Sequence, residues 1–188
     1  MFTMEELEQY AQGCRECRLH KKRTNLVFGE GVTNTVLMFV GEAPGADEDR
    51  LGKPFVGKAG QLLTKALTAL DFERSKNYYI TNICKCRPEN NRTPTEDEAE
   101  ACLPFLRRQV LLIKPKIIVC LGATAAKYII DRNSRISDIR GQWFERKGYY
   151  LIATFHPAAL LRDESKKRLM WDDLKKVKAK YDEILKEL

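Results

Sequence analysis

No apolar run in this chain of 188 residues approaches the roughly 18 that a membrane-crossing helix needs. Its start also lacks the basic-then-apolar pattern of a secretory leader. Both absences point to a soluble intracellular protein, in which the six cysteines are not expected to pair as disulfides. There is no internal repeat, no low-complexity tract and no linker long enough to separate domains, so residues 1–188 are expected to fold as a single domain. Charge balance is missing as well: 33 Lys and Arg against 26 Asp and Glu leave a net charge of +7, which favours an acidic partner. At 31% charged residues the surface is densely ionic, a composition that suits a heat-adapted source.

What the chain does have is two pairs of cysteines set among arginines and lysines: Cys14 and Cys17 as C-x2-C, and Cys86 and Cys102 as C-x15-C. Two intervening residues let both thiols face one ion or one corner of a cluster, and the distant second pair closes a loop across much of the chain. The spacing points to a metal or iron-sulfur site without choosing between them, and zinc suits four thiolates too. Cys84 and Cys120 stand inside apolar strand patterns and read as inert core residues.

Thr3 with Glu6 forms a capping box, and Phe2 and Leu7 are placed for a hydrophobic staple, so a short helix should deliver Cys14 and Cys17. Residues 36–40, 78–81 and 117–121 are continuous apolar runs of the kind that form strands buried on both faces, and residues 149–154 read as a fourth. Helical patterns lie between them: residues 59–70, a segment capped by Thr95 with Glu98 in the box position, and residues 123–130. This alternation predicts an α/β fold with a parallel sheet. Residues 86–94 read as an irregular loop. Met170, Leu174, Val177, Tyr181, Ile184 and Leu188 recur at four-three spacing, which predicts one helix packed on the body.

In open parallel sheets, ligands bind beyond the carboxyl ends of the strands. Three unusual segments emerge there and should converge on one pocket: the turn Gly41-Glu42-Ala43-Pro44-Gly45, Asn82, and Phe155-His156-Pro157. Glycines at both ends of the turn free the backbone and turn N–H groups toward a ligand oxygen. Singly, the three read as an ordinary turn, a strand-end cap and a structural histidine; their shared position gives them weight.

That turn, Lys53-Pro54-Phe55-Val56-Gly57-Lys58-Ala59-Gly60, Asn82 with Lys85-Cys86-Arg87-Pro88, Asn91-Arg92-Thr93-Pro94 and His156-Pro157-Ala158-Ala159-Leu160-Leu161-Arg162 strongly resemble, in order and nearly end to end, the family 4 uracil-DNA glycosylases of thermophilic bacteria and archaea. The resemblance implies a three-layer α/β/α fold with a central, mainly parallel four-stranded sheet. It also implies a 4Fe-4S cluster on Cys14, Cys17, Cys86 and Cys102. The activity it implies is hydrolysis of the N-glycosidic bond of uracil in DNA, leaving an abasic site for base excision repair of deaminated cytosine. Partners would be uracil-containing DNA, single- or double-stranded, with a sliding clamp as a candidate; the protein would act as a monomer in a prokaryotic cytoplasm, at the nucleoid.

On the same resemblance, Gly41, Glu42, Ala43, Phe55, Asn82 and His156 would line the uracil pocket. A base in a duplex must first be flipped out at a cost of a few kcal/mol. Phe55 would stack on it, Leu160 would wedge into the vacated stack, and Arg162 would sit near a phosphate. The Asn82 amide can accept from uracil N3–H and donate to O4, both of which cytosine inverts. His156 and amides of the 41–45 turn would stabilise the charge that collects on uracil O2 as the bond breaks. The aspartate that handles water in the best-known branch is Ala43 here, which leaves Glu42, Glu48 and Asn82 as options. Gly45 supplies no side chain to gate against thymine, so Glu42 is the candidate for that exclusion. Asp47, Glu48 and Asp49 otherwise read as a solvated acidic turn or helix start. Arg15, Arg18, Lys21, Lys22, Arg23, Lys85 and Arg87 are expected to form a phosphate-gripping surface, while His20, Trp143 and Trp171 carry no functional signal.

Two other functions fit some of the pattern. A non-catalytic iron-sulfur module for single-strand binding or replication would keep the basic surface and cysteines without needing Asn82 and His156 together. A relative that captures uracil-DNA covalently would need a histidine within residues 135–141, and none is there.

Overall fold

Along the central strands the apolar side chains alternate between two cores. Leu37 and Phe39 of β2 (Leu37–Gly41), Ile117, Val119 and Leu121 of β4 (Ile117–Leu121) and Ile152 of β6 (Tyr149–Thr154) face one side. Met38, Val40, Ile118, Cys120, Leu151 and Ala153 face the other. Strands apolar on both faces must be covered on both, and this dictates three layers. In the computed structural model, which describes residues 2–188, α3 (Lys58–Thr68), α7 (Pro157–Arg162) and α8 (Lys166–Glu187) cover the first face. The second is covered by α1 (Met4–Gln12), α4 (Glu96–Ile113) and α5 (Ala123–Ile129), with the one-turn α6 (Ile136–Ile139) against it. Among the described residues no helix is long and apolar enough to cross a membrane.

The sheet has six strands in the order β1-β3-β2-β4-β6-β5. β3 (Tyr79–Asn82), β2, β4 and β6 run parallel and are the four strands read from the sequence. The count expands by two antiparallel edges, β1 (Glu30–Gly31) and β5 (Trp143–Arg146). Neither has a readable period: β1 is two residues long, and β5 is defined by its hairpin with β6 through Lys147-Gly148, both at positive φ (51° and 83°).

Both capping boxes form, Thr3 with Glu6 and Thr95 with Glu98. The α8 stripe is buried at Met170, Leu174, Val177, Tyr181 and Ile184, whereas Leu188 is exposed. One expectation is corrected in the short helix α2 (Ala46–Leu51): Asp49 is buried, because its Oδ1 accepts from the backbone N–H of Thr24 and Asn25 at 2.9 and 3.3 Å. A carboxylate so bonded ties the segment after the first cysteine pair to the turn beyond β2.

Candidate active site

All four parallel strands deliver residues to one end of the sheet. β2 ends at Gly41, paired in register with Asn82 at the end of β3; Gly122 and Thr124 follow β4, and Phe155-His156 follow β6. Pairing continues past the strands, with Ile83 N–H donating to Gly41 O at 2.9 Å and Cys84 N–H to Glu42 O at 3.0 Å. This extension zips the 41–45 turn to the segment that leads to Cys86.

Asn82 is 2% exposed, and its Oδ1 is the one buried side-chain nitrogen or oxygen without a hydrogen-bond partner among the described residues. Such an orphan costs on the order of 1–3 kcal/mol, so its persistence marks a position waiting for a donor. A Cβ on Gly41 would fall 2.6 Å from that oxygen and 2.5 Å from Phe55 Cζ. Phe55 therefore stands beside Asn82, and its ring lies 5.7 Å from that of His156, tilted by 31°. Phe55 has φ of +52°, a conformation that is strained for side chains other than glycine. Arg74 holds it there, donating to Pro54 O at 2.6 Å and Phe55 O at 3.1 Å while paired with Glu30 at 2.8 Å.

His156 caps α7. Its Nδ1 accepts from Ala158 N–H at 3.1 Å, which assigns the proton of the neutral ring to Nε2. Burial first, and Arg162 second, lower its pKa to about 4, so the ring is neutral across the physiological range. Gly122, at φ of +95°, leaves room for it: a Cβ there would meet His156 Cβ at 2.8 Å.

Of the acidic candidates, Glu48 is consumed by structure. Its Oε1 accepts from Gly45 N–H at 3.2 Å, and its Oε2 from Val56 and Gly57 N–H at 3.1 and 2.6 Å. It splints the turn to the Phe55 loop, with both oxygens engaged by backbone N–H groups. Glu42 is half-buried and accepts the Thr124 hydroxyl proton on Oε2, leaving Oε1 available. Sequence reasoning missed Thr124, and no local signal could have found it, since the contact spans 82 positions.

On the α1/α4 face, Cys14, Cys17, Cys86 and Cys102 line one small, tight cavity, together with His20 and Cys84. Arg23 Nη1 donates to Cys86 Sγ at 3.4 Å, and Lys85 N–H donates to Cys102 Sγ at 3.3 Å. Burial raises the thiol pKa of Cys17 and Cys86 and pushes that of Cys102 up to about 12, so thiolates here call for a compensating cation. Among the described residues no three His, Cys, Asp or Glu side chains converge at the spacing of one metal ion. Cys120 is buried with a raised pKa, as expected of a core residue.

The family model of the uracil DNA glycosylase superfamily matches residues 28–175. A type-4 uracil-DNA glycosylase of Thermotoga maritima is 44% identical over 189 residues, covering 95% of this chain and 97% of that relative. Those of Sulfurisphaera tokodaii (43%; 95% of this chain, 84% of the relative) and Pyrobaculum aerophilum (45%; 85% of each) are similar to the same extent. The chain belongs to the type-4 uracil-DNA glycosylase family.

Two expectations, the wedge implied by the resemblance and the basic surface read beside the cysteines, need correction. Leu160 has no exposed surface and packs in the core with α3 and α8, so it cannot enter a base stack without unfolding α7. The next residue, Leu161, is 53% exposed, with Arg162 exposed beside it. The basic surface is also smaller than the seven cations expected for it. Lys85 is buried; Arg18 and Lys22 are paired with Glu98 and Glu89; Arg23 points inward to Cys14 O, Gln12 O and Cys86 Sγ; and Arg87 donates to Asn91. Arg15 and Lys21 are the two of the seven that are exposed without an ion pair among the described residues.

Proposed function

We propose that this protein excises uracil from DNA by reading the flipped base with Asn82, stacking it on Phe55 and stabilising its departing charge with His156. The orphaned Oδ1 of Asn82 carries the proposal: a buried acceptor beside an aromatic ring suits the N3–H of uracil, and cytosine, which has an acceptor at N3, would leave it unpaired. As the glycosidic bond breaks, its electron pair leaves with the base and charge gathers on O2. Neutral His156 with its proton on Nε2 is suited to donate there, as are the Glu42 and Ala43 amides; that of Gly45 is committed to Glu48. A water then adds to the sugar carbon and loses a proton. Glu42, held by Thr124, is the carboxylate suited to orient that water, and it remains the candidate for excluding thymine. Leu161 takes the wedge role in place of the buried Leu160, with Arg162 at a phosphate.

The four cysteines are suited to hold a 4Fe-4S cluster: they line one cavity, their thiols are desolvated, and N–H groups donate to two of the sulfurs. When bound, the cluster would supply iron–thiolate cross-links between the end of α1, the segment after β3 and α4. Glu98 supports the same junction, bonding Arg18 at 2.8 Å and Arg92 at 2.7 Å.

Incubating the protein with an oligonucleotide carrying one uracil, then cleaving abasic sites with alkali, tests the reading. A product at the uracil and none with cytosine or thymine in its place is expected. Binding without a cleavable site would favour the non-catalytic module.

A further inference from the structure

Lys85 is a fully buried lysine whose ammonium touches no carboxylate. Its Nζ donates to Thr81 Oγ1 at 2.6 Å, Asn82 O at 2.8 Å and Gln109 Oε1 at 2.7 Å, which uses all three N–H bonds. Two of these acceptors are themselves fixed, because Thr81 Oγ1 and Gln109 Nε2 both donate to Phe28 O, at 2.8 and 2.9 Å. The network closes beneath the end of β3. A buried cation without a counter-charge is costly, so something must offset it. The sulfurs of the cysteine site are the groups at hand: Cys86 follows Lys85 directly, and the Lys85 N–H reaches Cys102 Sγ at 3.3 Å.

We infer that Lys85 is a positioning residue for base recognition, fixing the Asn82 backbone and thereby aiming its amide, while the negative charge of the ligated thiolates holds the ammonium in the core. The segment from Asn82 to Cys86 is then one rigid piece, anchored to the base pocket at one end and to the cysteine cavity at the other. Occupancy of the cysteine site is felt at the amide through this lysine. The inference rests on the reading that Asn82 recognises uracil.

The test uses the full chain with its iron content measured, comparing wild type, Lys85→Met, Thr81→Val and Asn82→Ala. The readouts are thermal stability, affinity for uracil-free DNA, inhibition by free uracil and single-turnover excision. Lys85→Met that keeps its iron and its DNA affinity should bind free uracil about tenfold more weakly and excise uracil about tenfold more slowly, with Thr81→Val shifted in the same direction. Uracil inhibition and excision within twofold of wild type would overturn the inference. If Lys85→Met fails to fold or to hold iron, Thr81→Val decides: weakened uracil inhibition supports the inference, and unchanged inhibition overturns it. Asn82→Ala separates the two readings, since wild-type excision by that variant would remove the recognition role of Asn82 itself.

Discussion

Gly41 and Asn82 face each other across β2 and β3, and the Asn82 amide oxygen lies 2.6 Å from where a side chain on residue 41 would begin. The Asn82 amide and the Phe55 ring can stand together only because residue 41 is glycine. Gly41→Ala should therefore displace Asn82 or Phe55 and lower single-turnover uracil excision by at least about tenfold, with little change in DNA affinity, which phosphate contacts dominate. Parallel excision and gel-shift measurements check this, and wild-type excision would show that the pair can shift aside at no cost to the reaction.

His156 should act as a neutral donor. Its folded pKa of about 4 lies below the ordinary 6.5, so single-turnover excision should show no His-dependent acid limb until the pH approaches 4. The sign for stability follows: as pH falls from 6.5 toward 4 the unfolded chain takes up this proton before the folded one, so His156 destabilises the fold in that window. Above 6.5 the contribution is absent. His156→Ala should slow the chemical step roughly 10²–10³-fold, the usual loss for an oxyanion donor. An acid limb centred near 6.5 in the wild-type profile would contradict the neutral-ring assignment.

Leu160 and Leu161 should separate cleanly. Leu160→Ala removes a side chain with no exposure from a packed core and should cost about 2–5 kcal/mol in unfolding free energy. Leu161→Ala should leave stability nearly unchanged yet reduce excision from double strands more than from single strands, and from U opposite A more than from U opposite G, because mismatched bases are easier to open. Equal losses on all three substrates would remove Leu161 from the wedge role.

Purified without oxygen, the protein should be yellow-brown, from thiolate-to-iron charge transfer. Cys86→Ala and Cys102→Ala should lose that colour and much of the stability, whereas Cys84→Ala should keep the colour. Iron and zinc analysis beside the absorption spectrum checks the assignment, and a colourless protein with one zinc would refute it.

Local rules made much of this fold readable. Capping boxes at Thr3 and Thr95 and the apolar runs of the four parallel strands depend on neighbours in the chain, and they appear as read. What could not be read depends on distant partners. Which of Leu160 and Leu161 is buried depends on how α3 and α8 meet α7. Lys85, among cationic neighbours, reads as surface until Thr81, Gln109 and Asn82 enclose it. Glu48 looks like a catalytic option by residue type alone, and only the fold brings Val56 and Gly57 onto its carboxylate.

The most direct test of the central claim is single-turnover excision of uracil from one oligonucleotide by wild type and Asn82→Ala, with DNA affinity measured alongside. The wild type should release uracil and leave an alkali-labile site. The variant should bind the same DNA with nearly the same affinity and lose most of the excision rate, because the unpaired acceptor at the end of β3 is gone. Undiminished excision by Asn82→Ala, or an equal loss of binding and excision, would contradict the claim that this amide reads the base.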